Sequence, residues 1–300
     1  MPLFSKKYLL DILLRKKSGI ILLVVFFSNL LMPMTAFSQS NINLEFRNKD
    51  QPTKTLTLID LGIIAAPVLV KIFEVHENRN RVYKAYSAQV VFDEVFGKAW
   101  REAGEILFTC TDGYQPSIPV AKFLTHNAYF AFAQEDDSPF IVINALQNNE
   151  IVQLGPLYLV WDNINSKELL DDGASYMPYQ IREIELTVFA SRFPNLAPPK
   201  KASLEARRGF LHFRKHCMAC HTINDEGGGK ATELNYPVSV VERMPFKHLI
   251  RWIGNPSSMR YNTVMPGLAK ETPNRQKVIS EIISYLRAMS KVKYVPNKGL

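Results

Sequence analysis

The chain has 300 residues, 47% of them hydrophobic, which suffices for a sizeable core and suggests about two domains. Its formal charge of +8 is concentrated at the start, where Lys6, Lys7, Arg15, Lys16 and Lys17 stand against Asp11; beyond residue 38, 31 basic and 27 acidic residues leave +4. An excess so small, with no run of like charges, gives no ground for a nucleic-acid partner.

The first element reads as a leader. A basic stretch precedes the apolar run Gly19 to Leu31, and Ala36-Phe37-Ser38 sets small residues at alternate positions, the pattern of a secretory signal spanning 1–38. The run falls short of the ~20 residues a spanning helix needs, so no stable membrane span is expected after cleavage, with an uncleaved anchor as the alternative. The expected destination is the periplasm, an oxidising compartment where cysteines usually pair. Cys110, Cys217 and Cys220 are the only cysteines in the sequence, and they do not make a disulfide scaffold.

Residues 41–192 mix strand-like and helix-like stretches and predict an α+β domain. Glu105–Cys110 and Pro156–Trp161 have the β-branched, aromatic and apolar content of buried strands. Val90–Ala103 has helical spacing, and a further helix is expected within 118–132. His76 and His126 stand alone, and neither a nucleophile elbow, a zinc-protease motif nor a phosphate loop occurs. Three prolines within 193–201 predict a semi-rigid linker.

Residues 202–291 read as helix. Ser203 is placed to cap a helix carrying Gly209, Phe213 and Cys217 on one face, and Thr272-Pro273 predicts the start of a last helix with the stripe Val278, Ile282, Leu286 and Met289 beside Tyr285. Between them lies Cys217-Met-Ala-Cys220-His221. Two thiols on one helical turn can each add to a vinyl group of one porphyrin, while the next residue offers an imidazole to the iron. A bare C-x-x-C would also suit zinc or a redox dithiol; the histidine and the export signal point to one covalent haem c. For the second axial position the candidates are Met265, Met244, Met259, His248 and His216. Met265 is preferred because its turn-rich loop lies forty-four residues beyond His221. A histidine–methionine pair fills both axial positions and favours ferrous iron, leaving electron transfer as the chemistry.

These motifs, with Gly209-x-x-x-Phe213, Trp252-Ile-Gly-Asn-Pro256, Met265-Pro266 and Tyr285-Leu286, make residues 202–291 similar to a class I cytochrome c domain. The expected fold class is therefore an α+β N-terminal domain followed by an all-α cytochrome c domain. The resemblance implies Cys217 and Cys220 as thioether residues and His221 and Met265 as ligands. It also implies a carbonyl that accepts from the second nitrogen of His221. Family members use the proline of a glycine-proline-x-leucine loop; here Ala231-Thr232-Glu233-Leu234 offers Thr232, with Pro237 as the alternative.

Tyr86–Phe96, Asp112-Gly113-Tyr114, Gly155–Val160 and Tyr179–Leu186 resemble the later part of the sulfite-oxidase-type molybdopterin fold. That family holds molybdenum through a cysteine ahead of the segment matching Tyr86, and none lies between the leader and Cys110. The domain is expected to be a shortened relative without molybdopterin, with Cys110 a small buried residue. The combined expectation is a periplasmic mono-haem electron carrier with an N-terminal docking domain, serving a redox partner protein. The alternative is a self-contained molybdenum oxidoreductase feeding its own haem. Arg207, Arg208, Arg214 and Lys215, with Lys200 and Lys201, form either a docking patch or a solvated helix face.

Overall fold

In the computed structural model, residues 42–49 and 51–294 are described, so the expected leader at 1–38 lies outside them. Strand β1 (Leu44–Asn48) turns Leu44 and Phe46 inward and pairs antiparallel with β2 (Gln51–Leu56) and parallel with β11 (Ile181–Thr187). Next to β11 lie β5 (Glu105–Cys110) and β6 (Ser117–Pro119), completing a five-stranded sheet of order β2-β1-β11-β5-β6. All six residues of β5 are buried, as a central strand covered on both faces requires. Ile106, Phe108 and Cys110 join the N-terminal core, while Leu107 joins the core of the C-terminal region. One sheet thus serves two cores.

A second, antiparallel sheet has the order β10-β7-β4-β3, from β3 (Val68–Glu74), β4 (Arg79–Ser87), β7 (Ala128–Gln134) and β10 (Tyr158–Trp161). The hairpin β8 (Ile141–Asn144) with β9 (Glu150–Gln153) stands beside it. Four short helices fill the gaps: α1 (Leu58–Ile64), α2 (Ala88–Phe96), α3 (Val120–Thr125) and α4 (Lys167–Asp172). Helix α2 stops earlier than its spacing predicts, because Gly97 at φ 73° breaks it and a separate 3₁₀ turn, Lys98–Glu102, buries Trp100.

Beyond β11 come α5 (Phe189–Arg192), α6 (Leu204–His216), α7 (Val240–Arg243), α8 (Phe246–Gly254) and α9 (Arg275–Met289). The last helix starts after Asn274, in the left-handed region, rather than at Pro273. The expectation of an all-α C-terminal domain is corrected: strands β12 (Thr222–Ile223) and β13 (Glu226–Gly227) form an antiparallel ladder there, and the chain mixes helix and sheet throughout its described length. Asn224 at φ 55° and Asp225 at φ 67° supply the two left-handed residues that such a tight hairpin demands.

The proline-rich segment 193–201 is packed. Phe193 and Leu196 are buried, Tyr285 donates its hydroxyl to the Leu196 carbonyl at 2.7 Å, and the Glu226 carboxylate accepts from the Asn195 and Leu196 amides at 2.7 and 3.2 Å. All described residues fall into one compact unit, with the C-terminal elements seated against the back of β5.

Candidate functional site

Helix α6 aims the C-x-x-C-H turn. Ser203 Oγ accepts from the Ala206 amide at 3.2 Å, and Ala206, Gly209 and Phe213 form the buried face. At Gly209 the helix crosses α9 so closely that a β-carbon would lie 1.8 Å from the Glu281 carbonyl oxygen. Past His216 the chain makes one more turn, with amide bonds from Cys217 to the Phe213 carbonyl (2.9 Å) and from Cys220 and His221 to the Cys217 carbonyl (3.1 and 3.0 Å). Both thiols and the imidazole are gathered by this turn. The unpredicted β12–β13 hairpin backs it: Gly228 donates to the Met218 carbonyl at 2.8 Å, and a β-carbon on Gly228 would meet the Ala219 carbonyl oxygen at 1.9 Å.

His221 Nδ1 donates to the Thr232 carbonyl at 2.8 Å, which decides between the two carbonyls considered for it. Pro237 instead accepts from Lys293. With Nδ1 engaged, Nε2 is the nitrogen left for a metal, the arrangement that fixes the tautomer of a ligating imidazole.

The turn forms a wall of a crevice consisting of two adjoining cavities of about 170 and 240 Å³. Cys217, Ile253, Met265 and Ile282 border both. His221 and Thr232 border the second cavity with Leu249 and Leu286, and Cys220 borders the first. The Met265 loop is pinned: Leu268 donates to the Ile253 carbonyl at 2.9 Å, and the Arg275 guanidinium binds the carbonyls of Gly254 and Leu268 at 2.5 and 2.8 Å. Gly267 lies where a β-carbon would fall 2.6 Å from the Gly254 oxygen. Of the rival candidates, Met244 borders only the second cavity and His216 only the first, while Met259 and the exposed His248 border neither.

This donor set suits a covalent haem. Two free thiols and one imidazole share a turn, a thioether reaches both cavities, and Leu249, Ile253, Ile282 and Leu286 contribute aliphatic wall. Burial pushes the Cys217 thiol up to about 12 and that of Cys220 to about 11, opposite to the lowering on which reactive redox dithiols depend. Among the described residues no three His, Cys, Asp or Glu side chains converge as in a bare metal-ion site. Cys110 is buried in β5, and burial raises its thiol as well.

The N-terminal domain closes the first cavity from the other side. Gln115 donates to the Ala219 carbonyl at 2.7 Å, Gly229 donates to the Gly113 carbonyl at 2.9 Å, and Lys230 pairs with Asp112 at 2.6 Å. Tyr114, Asn144, Gln147, Tyr179 and His76 line that side. Most of the basic stretch is engaged internally: Arg208 with Glu281 (2.7 Å), Arg214 with Glu105, Lys215 with Asp172 (2.5 Å), and Arg207 with the Lys200 carbonyl (2.5 Å). These contacts tie the cations to neighbouring groups of the fold.

His76, isolated in the sequence, belongs to a buried cluster. Its Nδ1 lies 2.7 Å from Glu74 Oε1, and its amide (3.1 Å), Tyr83 (2.9 Å) and Tyr158 (3.1 Å) also donate to that carboxylate. Burial pushes Glu74 upward, yet the His76 and Tyr83 bonds outweigh it and hold the carboxyl below its usual range. The one sequence signal was a glutamate two residues before a histidine at the end of β3; both tyrosines come from other strands.

No helix among the described residues is long and apolar enough to cross a membrane. Comparison of the chain with protein-family models and with curated proteins returned no match.

Proposed function

We propose that the chain is an exported, periplasmic mono-haem c-type cytochrome that carries single electrons to and from a redox partner protein. The supporting observation is the Cys217–His221 turn, with Nδ1 of His221 committed to the Thr232 carbonyl, on the wall of a crevice that Met265 also borders. Haem c, when bound, supplies a one-electron iron couple.

The chain's own residues do the rest. Cys217 and Cys220 form the two thioethers that hold the macrocycle in register with α6. His221 presents Nε2, and its bond to Thr232 both orients the ring and makes it a stronger donor. Met265 offers a soft thioether, which favours the reduced state relative to a second imidazole. Ile253, Ile282 and Leu249 keep water from the crevice and raise the cost of the extra positive charge of the oxidised state. In this reading the N-terminal domain carries no molybdopterin, since its one cysteine is packed within β5.

The test is a cofactor inventory of protein purified from its native host. One iron per chain, pigment that stays with the polypeptide through acid–acetone extraction, and no molybdenum are expected. Pigment released into the solvent, or stoichiometric molybdenum, would sink the proposal.

A further inference from the structure

Positive charge is unevenly placed along the chain. Between Arg243 and Lys277 stand seven basic residues against one acidic residue, Glu271, while the other residues beyond 38 hold 24 basic and 26 acidic ones. The +4 of that part of the chain is thus +6 in this stretch and −2 elsewhere. Arg275 is engaged by the carbonyls of Gly254 and Leu268. The other six, Arg243, Lys247, Arg251, Arg260, Lys270 and Lys277, are exposed. None of them has a carboxylate partner among the described residues, whereas Arg208, Arg214, Lys215, Lys230 and Lys293 all do.

The Arg275 guanidinium gathers three of these cations. It joins the end of α8, the Met265 loop and the start of α9, and Arg251, Lys270 and Lys277 each lie within three residues of one of the joined points. Ile253 and Met265, one and three residues from the two bound carbonyls, border the crevice. Like charges gathered on one surface repel, so the fold itself gains nothing from this arrangement.

Apolar groups stand in the same loop. Tyr261 is 90% exposed and Val264 56%, so two large side chains are left in water. On that flank Asn148, beyond the end of β8, donates to Asn262 at 2.9 Å, which brings the exposed Leu146 to the loop. Aromatic and aliphatic side chains beside a set of cations have the composition of a protein contact surface.

We propose that this surface docks an acidic redox protein, with Tyr261 and Val264 against its apolar patch and Arg251, Lys270 and Lys277 against its carboxylates. The proposal rests on the cytochrome reading. One electron crosses the Met265 loop between the haem iron and the partner's own redox centre, and no bond is made or broken. A lipid surface exchanges no electron, which favours a protein over an anionic membrane as the occupant.

The experiment follows, by stopped flow, oxidation of the reduced full-length protein from its native host by plastocyanin, an acidic copper protein. Its rate is expected to fall steeply as salt rises from about 0.01 M to about 1 M, where charges are screened within a few ångströms. Lys270→Glu with Lys277→Glu should slow the reaction about tenfold at low salt, with unchanged melting. Lys71→Glu with Lys98→Glu makes the same change in net charge at exposed sites of the N-terminal domain, and should slow it less than about twofold. Equal slowing by both pairs, a rate independent of salt, or no oxidation of the pigmented protein would overturn the inference. So would loss of binding to phosphatidylglycerol vesicles in the first pair with its oxidation rate unchanged, which would assign the surface to a membrane. Covalent pigment is measured on the same sample. Its absence removes the cytochrome reading and this inference with it, while pigment together with any of those outcomes removes this inference alone.

Discussion

Replacing Gly209 by alanine tests whether the close crossing of α6 and α9 builds the crevice. The added β-carbon would sit 1.8 Å from the Glu281 carbonyl oxygen, 2.5 Å from its carbon and 3.0 Å from Tyr285 Cβ. Relieving such contacts needs the helices to part by roughly 1.5 Å, and the obstacle is backbone rather than a side chain that could swing aside. Overpacking of this kind costs about 1–3 kcal/mol, and the upper part of that range applies here. Alanine returns about 1 kcal/mol through better helix propensity. A net loss of about 2 kcal/mol follows, or roughly 4–8 °C in Tm for a chain of this size. The assay is thermal unfolding followed by circular dichroism, with Gly254→Ala as the control. At Gly254 a β-carbon meets only flexible side-chain ends at 3.7 Å and beyond, so no loss is expected. If Gly209→Ala melts at or above the wild-type temperature, the reasoning about this crossing is wrong.

Three further outcomes are expected. With haem attached as proposed, Met265→Ala opens one axial position, lowers the reduction potential and abolishes the methionine-to-ferric-haem charge-transfer band; retention of that band would move the ligand elsewhere, with Met244 the next thioether on the wall. Arg214→Ala removes the cation from the carboxylate of Glu105, 8% exposed, leaving it the Ser117 hydroxyl, and should cost about 3 kcal/mol in denaturant unfolding. Adding Glu105→Gln should recover part of that loss, and strict additivity of the two would refute the coupling. For Glu77, burial raises the carboxyl, but Arg81 and Arg79 outweigh it and hold it at about 2 against 4.5 unperturbed. Because the folded value is depressed, the stabilisation is complete above 4.5 and disappears as pH falls toward 2. Glu77→Gln should therefore destabilise at pH 7 and matter little near pH 2, and a penalty unchanged between those pH values would contradict the assignment.

Several features could be read from the sequence because their causes are local. The cap at Ser203 and the crowded face of α6 follow from spacing along one helix, and the C-x-x-C-H turn needs only five consecutive residues. The β5 strand announces itself through an unbroken run of buried side chains. The β12–β13 hairpin escaped notice because strands of two residues show no alternation. Its trace is the pair Asn224-Asp225, whose left-handed backbone becomes meaningful only once Thr222 and Gly227 are seen to pair.

The sequence by itself determined the kind of chemistry on offer, since thiols three apart followed by imidazole are set by covalent connectivity and helical pitch. Tertiary structure alone decided the surroundings. Tyr158 reaches Glu74 across 84 residues, Arg214 reaches Glu105 across 109, and His76 acquires a cavity shared with the Cys217 turn. Such pairings depend on how two sheets and a helix pair stack around β5, and stacking is fixed by the summed burial of many apolar side chains rather than by any short stretch of chain.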